Sequence, residues 1–208
     1  MELGRFIAFE GGEGAGKSTQ ARLLAMELER RAVSCILTRE PGGTPGAEAI
    51  RELLLNPPGE GWGGEAEALL FAAARADHVA RLIRPALERG DWVICDRFVD
   101  SSRAYQGAAG ALGDGAIRAL HAIGSGGLLP DLTLVIASSG QSTAERLAVR
   151  DGDRSDAIGG RTSAYHAGVN AAFARFVEEE PERFAMIDGE GRIEDVHARV
   201  MAAVSSLC

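Results

Sequence analysis

The sequence predicts an α/β domain in which helices cover a parallel sheet. Short apolar runs alternate along the 208 residues with longer segments of helical periodicity, a pattern typical of parallel strands joined by crossover helices. A glycine-rich stretch, Gly11–Thr19, lies directly between the first apolar run and the first helical segment. The chain is 46% apolar, which is enough for a full hydrophobic core, so we expect a single domain over residues 1–208.

Five short apolar runs are predicted to be strands, at residues 5–10, 33–38, 91–95, 131–137 and 184–188. Helical periodicity predicts helices over residues 17–31, 44–55, 64–75, 77–89, 101–123, 142–149, 164–179 and 193–205. In an open α/β sheet, ligands bind at the carboxyl ends of the strands. We therefore expect the functional residues immediately after the strands.

The glycine-rich stretch matches the P-loop pattern, a glycine and four residues followed by Gly-Lys-Ser. Such a loop curls its backbone N–H groups around phosphate, and the following helix adds its positive N-terminus. A chance match is the alternative in a chain with 27 glycines, but the position between strand and helix and the retention of Lys17 as the only lysine favour function. The predicted ATP-binding residues are Gly11, Gly12, Glu13, Gly14, Ala15, Gly16, Lys17, Ser18 and Thr19.

Charged residues also follow the second and third predicted strands. Asp96 comes just after an apolar strand and is expected to support the magnesium ion of the nucleotide, with Arg97 beside it meeting a phosphate. A surface ion pair of little energetic weight is the alternative for these two residues. Residues 150–163 form a charged, glycine-rich segment between predicted helices, which we interpret as a lid whose arginines close over the phosphates, or else as a solvated loop.

Composition argues against several other classes of protein. The net charge is −8 and the arginines are scattered, so nucleic acid is not an expected partner. Cys35, Cys95 and Cys208 show no paired spacing, which is typical of free thiols in a reducing compartment. No apolar run approaches 18 residues and no signal core is present, so we expect a soluble cytoplasmic protein with no membrane partner.

Together these motifs resemble the bacterial thymidylate kinase family, one of the P-loop nucleoside monophosphate kinases. The similar blocks, in the family's order, are Phe9-Glu10-Gly11 with Gly16-Lys17-Ser18-Thr19, Thr38-Arg39-Glu40-Pro41-Gly42-Gly43, Phe71 with Arg75, Asp96-Arg97-Phe98 with Ser101 and Tyr105-Gln106-Gly107, and Pro130-Asp131-Leu132-Thr133. The resemblance implies transfer of the γ-phosphate of ATP to dTMP, with Mg²⁺, in a homodimer whose sheet has five parallel strands flanked by helices on both faces, with a short lid.

The resemblance also implies roles for individual residues around the phosphates. Lys17 and the loop amides would hold the ATP phosphates, and Ser18 would bind Mg²⁺ with support from Asp96. Arg97 would grip the 5′-phosphate of the acceptor, and Glu13 would reach its 3′-hydroxyl. Lys17, Asp96 and Arg97 are thus the expected catalytic residues in the body of the domain.

The acceptor nucleoside is implied to lie against a second group of residues. By the resemblance, Phe71 would stack on thymine and Arg75 would bond its carbonyl edge. The two positions lie four apart on a predicted helix, so they share one face. Tyr105 would crowd the 2′ position and so disfavour ribonucleotides. The remaining candidates for contacts to the substrate are Arg39, Ser102 and Gln106.

The predicted lid departs from the family pattern. The P-loop interior carries no arginine, so the resemblance places the catalytic arginine in the lid, and Arg150 and Arg154 are the candidates. A gapless comparison puts the family's Asp-Arg-x-Glu on residues 156–159, which lack both the arginine and the glutamate, whereas a gapped comparison uses residues 153–156. Either Arg154 serves in a shifted register, or Arg150, Arg154 and Arg161 share the work.

Two other functions remain open from the sequence. A kinase for another pyrimidine deoxynucleoside monophosphate, such as dUMP or dCMP, would differ only by a methyl or an amine in the pocket. A nucleotide-binding module without turnover is the second alternative, because of the altered lid.

Overall fold

A five-stranded parallel sheet forms the centre of the fold in the computed structural model, which describes residues 3–138 and 159–207. The strands are β1 Phe6–Glu10, β2 Cys35–Arg39, β3 Trp92–Asp96, β4 Leu132–Ala137 and β5 Phe184–Asp188. Their spatial order is β2-β3-β1-β4-β5 and every pairing is parallel. The predicted fold class and all five predicted strands are confirmed.

Helices connect the strands in the described ranges. The α-helices are α1 Lys17–Arg30, α2 Pro45–Leu55, α3 Gly64–His78, α4 Arg84–Glu88, α5 Val99–Ser102, α6 Asp114–Ser125, α7 Ser163–Glu179 and α8 Ile193–Val204. Two π-helical segments, Val79–Ile83 and Arg103–Ala109, continue α3 and α5, and a short 3₁₀ turn, Ser205–Leu207, ends the described chain. No helix of residues 3–138 and 159–207 is long and apolar enough to cross a membrane.

The limits of three predicted helices were wrong. Residues 64–88 form one continuous helical stretch instead of helices 64–75 and 77–89, and the wide π turn at Val79–Ile83 lies just before Pro85, whose missing N–H cannot join a regular helix. The predicted helix 101–123 is interrupted after Ala109, because Ala111 and Gly113 take left-handed φ angles of 60° and 86°. The predicted helix 142–149 lies outside the described residues.

Both faces of the sheet are covered by apolar clusters. In β1, Ile7 and Phe9 pack with α1 and α8 on one face, whereas Phe6 and Ala8 point to the other face, because side chains alternate along a strand. A third cluster places Phe173 of α7 against Val135 of β4. Burial on both faces explains why the central strands read as continuous apolar runs.

The sheet order brings three strand ends together. β1 lies between β3 and β4, and Phe9 is paired in register with Asp96, so the P-loop follows a strand directly beside the one that ends at Asp96. β2 pairs with β3 on the other side, with Arg39 opposite Asp96. The loops after β1, β2 and β3 therefore meet at one edge, as the sequence predicts.

Candidate active site

The P-loop has the backbone conformation of a phosphate-binding loop. Gly11, Gly14 and Gly16 take φ angles of 132°, 68° and 98°, a region that L side chains rarely adopt. A Cβ at Gly11 would lie 2.4 Å from the carbonyl oxygen of Ile136, so only glycine fits there. α1 begins at Lys17, and its positive N-terminus therefore faces the concave side of the loop.

The side chain of Lys17 lies beneath this loop and its ammonium group is almost completely buried. Its side chain is 6% exposed, and Nζ donates to the carbonyl oxygen of Gly12 at 2.6 Å. Burial, together with the nearby Arg97 guanidinium, lowers the pKa of Lys17 to about 8. An ammonium poorly compensated in this way is favourably placed to bind the phosphates of a ligand.

Ser18 and Asp96 form the predicted metal position. The Ser18 hydroxyl, on the first turn of α1, donates to Oδ2 of Asp96 at the end of β3. A hydroxyl and a carboxylate are hard oxygen donors, and Mg²⁺ in phosphate-transfer sites is held by one or two such side chains together with the phosphates. The donor set therefore fits Mg²⁺.

Arg97 connects the P-loop to the part of the cleft that contains Tyr105. Its φ of 70° turns the chain sharply after β3, and its guanidinium donates to Oε1 of Glu13 at 2.6 Å and to Oγ of Ser101 at 3.1 Å. It also lies 5.1 Å from the ring centroid of Tyr105. Tyr105 donates to the same Glu13 oxygen at 3.4 Å, and burial raises its pKa to about 12. Glu13, Arg97 and Tyr105, predicted separately, thus form one contact group.

Glu10 lies behind this site, and the sequence analysis named it within a motif without giving it a role. It ends β1 fully buried and accepts hydrogen bonds from the N–H of Phe98 at 2.8 Å, the N–H of Ser101 at 2.9 Å and Oγ of Ser101 at 2.6 Å. Burial, with repulsion from Asp100, raises the pKa of Glu10 to about 7. The sequence feature that could have identified Glu10 is a carboxylate at the last position of an otherwise apolar strand.

One cleft contains both the P-loop residues and the predicted acceptor residues. Its cavity volume is about 280 Å³, and Lys17 and Ser18 line one part of it. The other predicted residues that line it are Glu13, Arg39, Phe71, Arg75, Asp96, Arg97, Ser102, Tyr105 and Gln106. Residues from four separate parts of the chain are therefore brought to a single concave surface.

Arg39 and Gln106 are held at the edges of the cleft by carboxylates that the sequence analysis missed. Arg39 Nη2 lies 3.0 Å from Oε1 of Glu48 on α2. The Gln106 amide donates to Oε1 of Glu67 on α3 at 2.7 Å. Neither carboxylate belongs to a motif, so only their positions on the helices packed beside the cleft reveal them.

Of the lid candidates, the structure describes only Arg161. Arg161 donates to Oε2 of Glu67 and to the hydroxyl of Tyr165, and its guanidinium lies 4.7 Å from the Tyr165 ring centroid. Its charge is therefore paired on the side of the cleft that carries Gln106. Arg150 and Arg154 lie outside the described residues.

Comparison with known proteins agrees with this arrangement. The family model described as thymidylate kinase matches residues 9–200. A thymidylate kinase of Rhizorhabdus wittichii is 54% identical over 204 residues, covering 98% of each chain, and one of Rhodopseudomonas palustris is 51% identical over 97% of this chain and 88% of its own. The crystal structure of thymidylate kinase from Ehrlichia chaffeensis is similar with a TM-score of 0.74 and 31% identity, covering 97% of this chain and 99% of the other. The P-loop, the shared cleft and these matches together show that the chain belongs to the thymidylate kinase family.

Proposed function

We propose that the protein transfers the γ-phosphoryl group of ATP to dTMP, giving dTDP and ADP for dTTP synthesis. The observation that carries the proposal is the common cleft, in which the P-loop residues Lys17 and Ser18 and the base-binding candidates Phe71 and Arg75 line one surface. A donor phosphate and an acceptor nucleotide can therefore be bound side by side.

The proposed mechanism is mostly positioning and charge neutralisation, because phosphoryl transfer requires little covalent chemistry from the protein. The P-loop N–H groups and Lys17 hold the donor phosphates, and Arg97 holds the phosphate of the acceptor. Ser18 and Asp96 would hold Mg²⁺, which would supply positive charge to neutralise the phosphates. The paired contacts of Arg97 with Glu13 and Ser101 support this role, since they fix the guanidinium before the acceptor arrives.

The proposed selectivity for a thymine deoxynucleotide depends on the other end of the cleft. Phe71 stacks on the base and Arg75 donates to its carbonyl edge, with Ser102 and Gln106 beside them. Tyr105 crowds the 2′ position, and Glu13 accepts from the 3′-hydroxyl. The contact between Tyr105 and Glu13 supports this assignment, because it places both side chains at one point of the cleft.

We assign the remaining transition-state cation to Arg150 or Arg154 of the lid. The position of Arg161 supports this choice, because it donates to the Glu67 carboxylate that also accepts from Gln106, on the part of the cleft that carries the base-binding candidates. The test is to substitute Arg150, Arg154 and Arg161 by alanine one at a time. We expect the substitution at Arg150 or Arg154 to lower kcat by about 10²-fold or more and to leave the KM for dTMP nearly unchanged. A loss of kcat only in Arg161→Ala contradicts the assignment.

We further propose a cytoplasmic homodimer that does not bind nucleic acid. Free thiols at Cys35 and Cys95 support a reducing compartment, and the net charge of −8 opposes binding to a phosphate backbone. Two exposed apolar side chains, Leu69 on α3 and Ile123 on α6, support a second copy as the partner, because α3 and α6 pack together.

The function is tested by measuring ADP release with ATP, Mg²⁺ and one monophosphate at a time. We expect the highest kcat/KM with dTMP among dTMP, dUMP, dCMP and AMP. Faster turnover of dCMP or AMP contradicts the proposed substrate. Binding of dTMP and an ATP analogue without turnover contradicts the proposed catalysis and favours a binding module.

A further inference from the structure

A chain of buried polar side chains connects the end of β2 with the wall of the cleft. Its members come from β2, the loop that follows it, α3 and α5, and each is at most 8% exposed. They are Thr38, Glu40, His78, Arg75 and Ser102. Only Arg75 and Ser102 have a role in the proposed function, so the burial of the other three needs a separate explanation.

The hydrogen bonds of this chain have a defined direction. A carboxylate only accepts, so His78 donates from Nδ1 to Oε1 of Glu40, across 3.0 Å. Nε2 of the same ring lies 2.8 Å from the hydroxyl oxygen of Thr38, within hydrogen-bonding distance. Arg75 Nε donates to the second Glu40 oxygen at 2.7 Å. Both oxygens of Glu40 are therefore used, one by His78 and one by Arg75.

These contacts fix the orientation of the Arg75 guanidinium. Nε is held by Glu40, and Nη2 donates to Oγ of Ser102 at 2.9 Å and to the carbonyl oxygen of Phe98 at 3.4 Å. The Phe98 ring lies 5.5 Å away and closes one side. Nη1 donates to no atom of residues 3–138 and 159–207, and Arg75 lines the cleft, so this nitrogen is free to donate to a ligand.

The Arg-Glu-Pro-Gly-Gly motif has a packing explanation in the same chain. Gly43 takes a φ of +89°, and a Cβ there would lie 2.5 Å from Nε2 of His78 and 2.5 Å from Oγ1 of Thr38. The glycine thus allows the loop to pack directly on the bonded pair of Thr38 and His78. The loop, the histidine and the threonine form one close-packed unit behind Glu40.

We propose that His78 and Glu40 are positioning residues that set the selectivity for the acceptor base by holding Arg75 in a single orientation. This inference rests on the proposed function, in which Arg75 donates to the carbonyl edge of thymine. A donor held in one place favours a base with a carbonyl at C4 and opposes cytosine, whose C4 carries an amine that also donates. An Arg75 that can reorient loses this discrimination while still binding nucleotide.

The experiment compares two substitutions of His78 that differ in one hydrogen bond. In His78→Asn the amide nitrogen takes the place of Nδ1 and keeps the donation to Glu40, whereas His78→Leu fills a similar volume with no donor. The readout is the ratio of kcat/KM for dTMP to that for dCMP. We expect the ratio to fall about tenfold or more in His78→Leu and to stay within about threefold of wild type in His78→Asn.

Loss of stability alone is separated from loss of positioning by a control in the opposite core. Val200 of α8 is fully buried and lies outside the polar chain, so Val200→Ala is expected to lower the unfolding midpoint and leave the ratio unchanged. Glu40→Gln provides a second variant if His78→Leu does not fold, because the amide keeps the shape but has a single acceptor oxygen; its ratio is expected to fall as well.

Three outcomes have distinct meanings. A ratio within threefold of wild type in both His78→Leu and Glu40→Gln overturns the inference, and so does an equal fall in His78→Asn and His78→Leu. A wild-type protein that does not prefer dTMP to dCMP contradicts the proposed function, whatever the variants do.

Discussion

The charge state of Lys17 is expected to depend on whether the phosphates of a ligand are bound. Burial is the largest cause that lowers its pKa to about 8, so above this pH the free protein holds Lys17 mainly as the neutral amine. Bound phosphate oxygens favour the ammonium, and therefore raise this pKa again. Nucleotide binding above pH 8 is thus coupled to proton uptake.

We expect the protein to take up as much as about 0.8 proton per site when an ATP analogue binds at pH 8.5, because about that fraction of Lys17 is neutral in the free protein at this pH. Calorimetric titrations in buffers of different ionisation enthalpy measure this number. Lys17→Met is the control, because it removes the titrating group and its uptake is expected to be near zero. Equal uptake in the two proteins contradicts the assignment of the proton to Lys17.

Glu10 gives a second prediction at the scale of single residues. Its folded pKa of about 7 lies above the ordinary value of 4.5, so the folded chain binds this proton more tightly than the unfolded chain does. The free energy of unfolding should therefore decrease as pH rises from about 4.5 to 7, by as much as about 3 kcal/mol for this group alone. Below and above that window the Glu10 contribution is constant.

Glu10→Gln is expected to remove this contribution. The free energy of unfolding in urea should therefore differ less between pH 5 and pH 7.5 in the variant than in wild type. Glu179→Gln, at an exposed carboxylate on α7, is the matched control and should keep the wild-type difference. If both variants behave as wild type does, Glu10 does not titrate in this window.

At the scale of elements, a buried charge cluster fixes the helix that carries Ser101, Ser102 and Tyr105. Arg103 is 2% exposed, its guanidinium lies 4.0 Å from the Phe176 ring centroid, and it pairs with Asp100 at 2.8 Å, Asp114 at 2.7 Å and Glu180 at 2.8 Å. Arg183 also pairs with Asp100, at 2.7 Å. The cluster thus joins α5, the start of α6, the end of α7 and the start of β5.

Arg103→Met is expected to destabilise the fold by about 1.5–3 kcal/mol, because it removes the charged hydrogen bond from Arg103 to the fully buried Asp100. Arg183 still pairs with Asp100, and Arg118 still pairs with the other two carboxylates, so none of them is left without a partner. Arg175→Met is the control, since Arg175 is 52% exposed and its pair with Glu179 spans 3.6 Å; its effect should be within about 0.5 kcal/mol. Chemical denaturation measures both values. Similar effects for the two substitutions would mean that the cluster adds little to stability.

At the scale of the whole molecule, we expect the proposed homodimer to bury apolar side chains that are exposed in the single chain. Ile123 on α6 is 85% exposed, and Leu69 on the packed neighbour α3 is also exposed. Burying such side chains against a second copy favours association, since each contributes about 1.5–3 kcal/mol when it leaves water completely.

Ile123→Asp is therefore expected to shift the protein towards the monomer in sedimentation velocity. Met26→Asp, at an exposed methionine on α1, is the matched control and should sediment as wild type does. A wild-type protein that is monomeric at micromolar concentration contradicts the dimer itself.

The sequence by itself determined the features that depend on neighbouring residues. The apolar runs predicted five strands, the blocks of motifs indicated the family, and both are confirmed. The P-loop was predictable because its glycines, Lys17 and Ser18 are contiguous and the conformation that binds phosphate is local. The helix limits at residues 64–88 and 99–125 were less accurate, because a π turn and left-handed residues interrupt the regular period.

Only the tertiary structure decided which distant charges meet. Arg97 contacts Glu13 across 84 positions, Gln106 contacts Glu67 across 39, and Glu40 joins Arg75 and His78 through loops that the sheet order brings together. No local pattern encodes such pairs, because they depend on how crossover helices return each strand to the sheet. The sequence therefore predicted many of the side chains that line the cleft, and the fold decided how buried partners such as Glu10, Glu40 and His78 hold their neighbours in place.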